Sequence, residues 1–157
     1  MLKNNIIRLL DSRKIPYTAY ELTAEKHGAL ETAQLLQVPP EIVFKTIVVR
    51  REGKGKPILA IVPGTNEVDL KDLAKAVSEK KLVLPTEGEA ERLTGLETGG
   101  ISPLALIHRG FQMVLDSTAE FYDEIHVSGG QRGLNISLPV QDLIALTGCS
   151  LAEISHP

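Results

Sequence analysis

Ile42-Val43-Phe44-Lys45-Thr46-Ile47-Val48-Val49 decides the fold, together with the return segment Ile58-Leu59-Ala60-Ile61-Val62. The first run is dominated by β-branched residues and reads as a strand. Between the two runs, Arg50 to Pro57 holds two glycines and four basic residues, the composition of a hairpin loop. Side chains alternate faces along a strand. Val43, Lys45, Ile47 and Val49 therefore share one face, and Phe44, Thr46 and Val48 share the other. Lys45 is the one charge on an otherwise aliphatic face. An ammonium is rarely buried without a partner, because desolvation is costly. Two readings follow. Either the face is half covered and Lys45 reaches solvent along its stem, or the face floors a pocket where Lys45 meets an anionic or carbonyl-bearing ligand.

The flanking segments give a mixed set of elements. Asn4 is placed to cap a helix whose apolar stripe is Ile6, Ile7, Leu9 and Leu10, ended by Pro16. Tyr17 to Tyr20 reads as a short strand and Ala29 to Gln37 as a second helix, stopped by Pro39-Pro40. Pro63-Gly64 ends the return strand. Asp69 caps a helix to Ser78, with Leu70, Leu73, Ala74 and Val77 on one face. Lys81 to Leu84 reads as a strand and Glu87 to Leu93 as a helix. Phe111–Leu115, Glu124–Ser128 and Leu134–Leu138 are further strands, and Gln141–Leu146 is a last helix ending near Gly148. This order lacks a regular βαβ alternation. It predicts a mixed or partly antiparallel sheet wrapped by helices, not a doubly wound fold.

The chain has 157 residues, with 43% hydrophobic and 24% charged, which fits one soluble globular domain over 1–157. No apolar run reaches the roughly 18 residues of a membrane span. Met1 to Asn5 is too polar for a signal peptide, so the cytoplasm is the expected location and no membrane partner is expected. The single cysteine, Cys149, excludes an intramolecular disulfide and a cysteine-based zinc site; it reads as a buried thiol. The net charge of −3 argues weakly against a nucleic-acid partner. Yet residues 43–81 carry nine basic and five acidic side chains, and residues 82–157 carry three and ten. Such asymmetry fits either a solvated lysine-rich face or a polyanion site.

Two glycine turns stand out. Thr98-Gly99-Gly100-Ile101-Ser102-Pro103 reads either as a plain turn or as a loop that lets a ligand approach the main chain and offers successive N–H groups to an anion or carbonyl. Ser128-Gly129-Gly130-Gln131-Arg132-Gly133 joins two strands. It reads either as a plain hairpin or as a second pocket wall with Ser128 and Arg132 as polar contacts. No phosphate-binding, dinucleotide-binding, zinc-protease or serine-hydrolase motif is present. His27, His108, His126 and His156 lack metal-ligand spacing, and His27 beside Gly28 suits a pocket rim. No cofactor or metal is called for, and no activated nucleophile is visible.

Phe44-Lys45-Thr46, then Gly99-Gly100-Ile101-Ser102-Pro103, then Val127-Ser128-Gly129-Gly130-Gln131-Arg132-Gly133-Leu134 occur in one order and spacing. In these residues the chain resembles the YbaK-like aminoacyl-tRNA deacylases, close to the Cys-tRNA(Pro) deacylases related to the editing domain of prolyl-tRNA synthetases. The resemblance spans about Ile6 to Thr147. It implies a mixed α/β fold around a curved, barrel-like, mostly antiparallel sheet. It implies removal of a misattached amino acid, cysteine or alternatively alanine, from the 3′ end of tRNA(Pro), with a prolyl-tRNA synthetase as a possible partner. Lys45 is then the key functional side chain at the terminal adenosine, and Gly99 and Gly100 contribute backbone groups to the reaction. Tyr20, His27, Thr46, Ile101, Ser102, Pro103, Ser128 and Gly129 are carried over as substrate-binding residues. The chemistry implied is substrate-assisted, with the cysteine thiol attacking its own ester. One departure is Asn135, where many close relatives have an acidic residue. A non-catalytic module binding tRNA or a nucleotide is the competing class.

Overall fold

The Ile42–Val62 hairpin forms, and everything else is arranged on it. The computed structural model describes residues 4–157. In chain order the elements are α1 (Asn5–Ser12), β1 (Thr18–Glu21), α2 (Ala29–Leu36), β2 (Phe44–Arg51), β3 (Ile58–Pro63), β4 (Glu67–Val68), α3 (Leu70–Ala76), β5 (Leu82–Val83) and α4 (Glu87–Thr94). They continue with β6 (Gln112–Asp116), β7 (Glu124–Ser128), β8 (Leu134–Pro139), α5 (Val140–Thr147), β9 (Ser150–Ala152) and β10 (Ser155–His156).

Helix starts follow their caps. Asn4 accepts from the Ile7 N–H at 2.9 Å, and Asp69 accepts from the Asp72 N–H at 2.9 Å. Gly148 closes α5 in the left-handed conformation. The strand expected from Ile42 begins two residues later, because Pro40 opens a 3-10 turn over Pro40–Ile42. The two- and three-residue strands β4, β9 and β10 escape sequence reading because a hydrophobic period needs more residues to show.

The largest sheet runs β5-β2-β3-β6-β9, and a three-stranded sheet runs β1-β8-β7. The pair β2/β3 is antiparallel with Lys45 opposite Val62, whereas β3/β6 and β6/β9 are parallel. The three-stranded sheet is antiparallel throughout. β4 and β10 form a separate pair. Among the described residues no sheet closes on itself, and a single parallel bridge, Val43 to His126, links the edge of β2 to β7.

β3 is buried along its whole length, so both faces of the large sheet are covered. On one side Val49, Ile58, Ala60 and Val62 pack with Leu73, Ala74 and Val77 from the α3 region. On the other, Phe44, Val48, Leu59 and Ile61 pack with Ile125, Val127, Ile136 and Leu138 of the small sheet, and with α1 and α5. The face that carries Lys45 thus belongs mostly to the α3 layer. Cys149 is free and 7% exposed, and burial pushes its thiol up from the ordinary value. No helix among the described residues is long and apolar enough to cross a membrane.

Candidate active site

β2 has two unlike edges. Toward β3 it is paired from Phe44 to Val49, but β5 covers only Arg50 and Arg51 on the other side. Among the described residues the Lys45–Val49 stretch of that second edge carries no strand partner. A cavity of about 220 Å³ lies against it and is bordered by all five residues from Val43 to Ile47. A strand edge presents consecutive residues, whereas a face presents alternate ones. This explains how Lys45 and Thr46, from opposite faces, border the same space.

Three other segments complete the wall. Leu22 and Lys26 to Gly28 come from the loop before α2, Ala29 and Thr32 from α2 itself, Thr98, Gly99 and Ile101 from the first glycine turn, and Ser128 and Gly133 to Asn135 from the β7–β8 hairpin. Of the residues expected at the site, His27, Lys45, Thr46, Gly99, Ile101 and Ser128 meet here. Tyr20, Gly100, Ser102, Pro103 and Gly129 are outside this lining. Tyr20 is opposite Asn135 in the β1/β8 register and its ring lies 5.5 Å from that of His126. Ser102 is fully buried, and its hydroxyl accepts from the Leu104 N–H at 3.2 Å to start the 3-10 turn that Pro103 opens. Gly129 donates its N–H to Leu134 and accepts from the Asn4 side chain.

The two glycine turns are one structure. A Cβ on Gly100 would stand 2.9 Å from Cα of Gln131, so the turns touch backbone to backbone. Arg132 fastens them. Its Nε donates to the Thr98 carbonyl at 2.8 Å and lies 3.2 Å from Glu97 Oε2. Arg132 is therefore a clamp between the turns and does not border the cavity. Glu91 of α4 holds the same turn by accepting from the Thr98 N–H at 2.7 Å. That N–H, then the Thr98 hydroxyl, keep its carboxyl below the usual carboxylate range, with Arg132 and Lys26 adding to the effect.

Lys45 is only loosely engaged. Its side chain is 26% exposed, and Nζ lies 3.7 Å from Oε1 of Glu67, itself 79% exposed. Such a pair contributes little to stability and leaves the ammonium available. His27 is held firmly. Nδ1 lies 2.8 Å from Glu31 Oε1 and Nε2 lies 2.9 Å from the Thr23 carbonyl. A carboxylate and a carbonyl both accept, so both ring nitrogens are matched to donate, which favours the imidazolium. Glu31 first, and then Thr23, raise its pKa above the ordinary value. Ser128 Oγ is 3.5 Å from the Gly99 carbonyl and accepts from the Gly130 N–H at 3.3 Å. Both contacts are to backbone groups, so its geometry is that of a loop tie.

Asn135, Lys26 and Glu67 enter the site without having been singled out as contacts by the sequence reading. Asn135 has a signal in retrospect: pairing the two strands around Gly129–Gly133 puts it opposite Ser128. Lys26 and Glu67 are surface charges of a common kind and carry none. Among the described residues no cluster of three His, Cys, Asp or Glu side chains forms a metal site.

The fold is mixed α/β, and its cavity lies between a strand edge, a lysine and two backbone loops. Residues 23–146 match the model of the aminoacyl-tRNA editing domain. The chain is 36% identical over 155 residues to the Enterococcus faecalis protein named "Putative Cys-tRNA(Pro)/Cys-tRNA(Cys) deacylase EbsC", covering 98% of this chain and 93% of that one. A crystal structure described as a putative trans-editing enzyme for prolyl tRNA synthetase superposes with a TM-score of 0.79 at 27% identity, over all of both chains. A hypothetical protein of known structure gives a TM-score of 0.87 at 20% identity, over 98% of this chain and 100% of that one, and shares the fold. The chain belongs to the aminoacyl-tRNA editing domain family.

Proposed function

We propose that the protein is a trans-editing deacylase that removes cysteine from mischarged Cys-tRNA(Pro). The observation that carries this reading is the cavity at the open edge of β2, with Lys45 and the glycine turns around it, in a chain 36% identical to a protein named as such a deacylase. At about 220 Å³ the cavity is below the roughly 300–1,000 Å³ of pockets that enclose drug-sized ligands. It suits an aminoacyl group, with the rest of the tRNA outside. The whole of 1–157 acts as one editing domain. The barrel-like curvature implied by the family is part of the same proposal, with the Val43–His126 bridge as the contact that draws the two sheets toward each other.

The chemistry fits a site that positions its substrate. The thiolate of the attached cysteine attacks its own ester carbonyl, a C–S bond forms, and the C–O bond to the ribose breaks. The thiol proton ends on the departing ribose oxygen and the amino acid leaves as a thiolactone. Holding thiol and carbonyl together can supply up to about 7–11 kcal/mol in ideal intramolecular cases. Lys45 binds the terminal adenosine end as a point charge. The Gly99–Gly100 backbone turns toward the ester, and Thr46, Ile101 and Ser128 shape the aminoacyl space. Tyr20, Ser102, Pro103 and Gly129 act from behind the lining. Specificity for tRNA(Pro) comes from a prolyl-tRNA synthetase partner, and the reaction belongs in the cytoplasm.

The test is a panel of mischarged tRNAs. Cys-tRNA(Pro) loses its ester faster than Ala-tRNA(Pro), because only cysteine brings its own nucleophile. Loss no faster than without protein would overturn the reading, and tight binding without turnover would make the protein a binding module. A preference for alanine would reassign the substrate.

A further inference from the structure

The β7–β8 hairpin buries a polar pair that the reaction above does not use. His126 is 4% exposed and Asn135 is 7% exposed. His126 Nδ1 lies 2.8 Å from Asn135 Oδ1. A carboxamide oxygen only accepts, so Nδ1 carries a proton and donates. The pair is fixed from both sides. Asn135 is centred between Tyr20 on β1 and Ser128 on β7, and the Tyr20 ring lies against His126. Asn135 also borders the cavity, and His126 does not. With Oδ1 engaged by His126, the amino group is the hydrogen-bonding atom that Asn135 has left to offer there.

We infer that His126 is a positioning residue that locks the Asn135 carboxamide, so that Asn135 meets the substrate as a hydrogen-bond donor to an oxygen of the aminoacyl-ribose ester. This rests on the deacylase reading. Among the described residues the wall then offers donors at Lys26, Lys45 and Asn135 and bears no carboxylate. An unrestrained carboxamide could turn over and present its oxygen, which an ester oxygen would not accept. The buried imidazole removes that alternative at little cost, since both of the atoms that meet are satisfied.

Nitrogen NMR of the histidine rings tests the pair directly in the full chain. His126 shows a protonated Nδ1 and a bare Nε2, and Asn135→Ala abolishes that preference. A protonated Nε2 with bare Nδ1 in the wild-type protein would overturn the inference, because the carboxamide would then be reversed. Activity supplies the second arm. His126→Leu lowers kcat/KM on Cys-tRNA(Pro) at least tenfold. His126→Asn, whose amide nitrogen can take the place of Nδ1, restores it to within threefold of wild type. Equal loss in both variants, or none in a folded His126→Leu, would also overturn it. A tRNA ending in 2′-deoxyadenosine checks the acceptor: the effect of Asn135→Ala persists on it if an ester oxygen accepts, and its disappearance would overturn the assignment by pointing to the 2′-hydroxyl, which can itself donate. If the wild-type protein hydrolyses nothing, the deacylase reading fails and the tautomer still reports on the pair.

Discussion

The two ends of β2 carry the same kind of charge and use it oppositely. At the far end Arg50 and Arg51 pair with β5 through the backbone. Arg50 Nε lies 3.2 Å from Glu89. Arg51 lies 3.1 Å from Glu79, donates to the Lys56 carbonyl at 2.9 Å, and also reaches Gln112. At the near end Lys45 has one long contact to an exposed glutamate and a cavity beside it. Six residues at about 3.3 Å each put the two ends roughly 20 Å apart. Within the basic excess of residues 43–81, Arg50 and Arg51 are thus engaged by acids of the fold in a way that Lys45 is not. Part of that excess joins strands to helices, and the part beside the cavity is a single lysine. An acidic protein that touches only the end of a tRNA needs no more than that at its site.

The sharpest way to break the comparison is to truncate each end in turn. Lys45→Ala lowers the deacylation rate by about 100-fold or more, the scale of losing a charged group that acts on the reacting end of a substrate. Its melting temperature moves by no more than about 2–4 °C, because an exposed ion pair is worth at most about 1 kcal/mol. A collapse in stability with activity per folded molecule retained would make Lys45 a structural charge like Arg51.

Next in size is the wall that faces Lys45. Gly133 has φ +84°, and a Cβ there would lie 2.6 Å from the Thr23 carbonyl oxygen and 2.7 Å from that of Leu22. Gly133→Ala costs at least about 2 kcal/mol by denaturant unfolding, from backbone strain plus the carbonyl contacts. It also lowers activity in the molecules that stay folded, since Leu22 and the hairpin border the cavity together. A variant as stable as wild type would show that the loop before α2 gives way freely.

Arg51→Ala is the mirror of Lys45→Ala, with a smaller effect of the opposite kind. Removing the guanidinium strands Glu79 and the Lys56 carbonyl, for about 1–2 kcal/mol of stability. Deacylation by the folded protein stays within twofold of wild type. A larger loss of activity would mean that the far end of β2 does take part in substrate binding.

These contrasts also show what could be read from residues alone. The alternation in Ile42–Val49 located the strand and marked Lys45, yet it argued from a face, and the cavity lies at the edge. Which edge of a strand is left open depends on β5, a two-residue element that covers only Arg50 and Arg51. Hairpin partners, caps and the glycine turns were legible because their chemistry is local. The contact of Gly100 with Gln131, the Glu91 tether on Thr98 and the His126–Asn135 pair join segments whose spacing follows only from the packed sheets. The charge count over residues 43–81 does not show that Arg50 and Arg51 meet acids, because Glu79 and Glu89 are distant in sequence.

The smallest effect separates two histidines, His27 bordering the cavity and His126 bonded to Asn135, by their response to pH. His27 has its pKa raised, by Glu31 first and Thr23 second, so the folded state binds its proton more tightly than the unfolded chain. Its contribution is fully present below the ordinary histidine value near 6.5 and is lost as pH rises through the folded value. His126 has its pKa lowered, chiefly by burial, with the Asn135 bond and Glu124 opposing. It favours the folded state when neutral, and that contribution is lost as pH falls from about 6.5 toward its folded value. Acid thus strengthens the tie between the loop before α2 and α2 itself, while weakening the hairpin that carries Asn135. NMR titration should show the His27 midpoint above 6.5 and the His126 midpoint below it. His27→Gln should remove the alkaline loosening of residues 22–28, seen as faster amide exchange, without changing the acid limb. If both rings titrate together, the loop and the hairpin respond as one wall, and the division between them drawn from their separate acceptors is wrong.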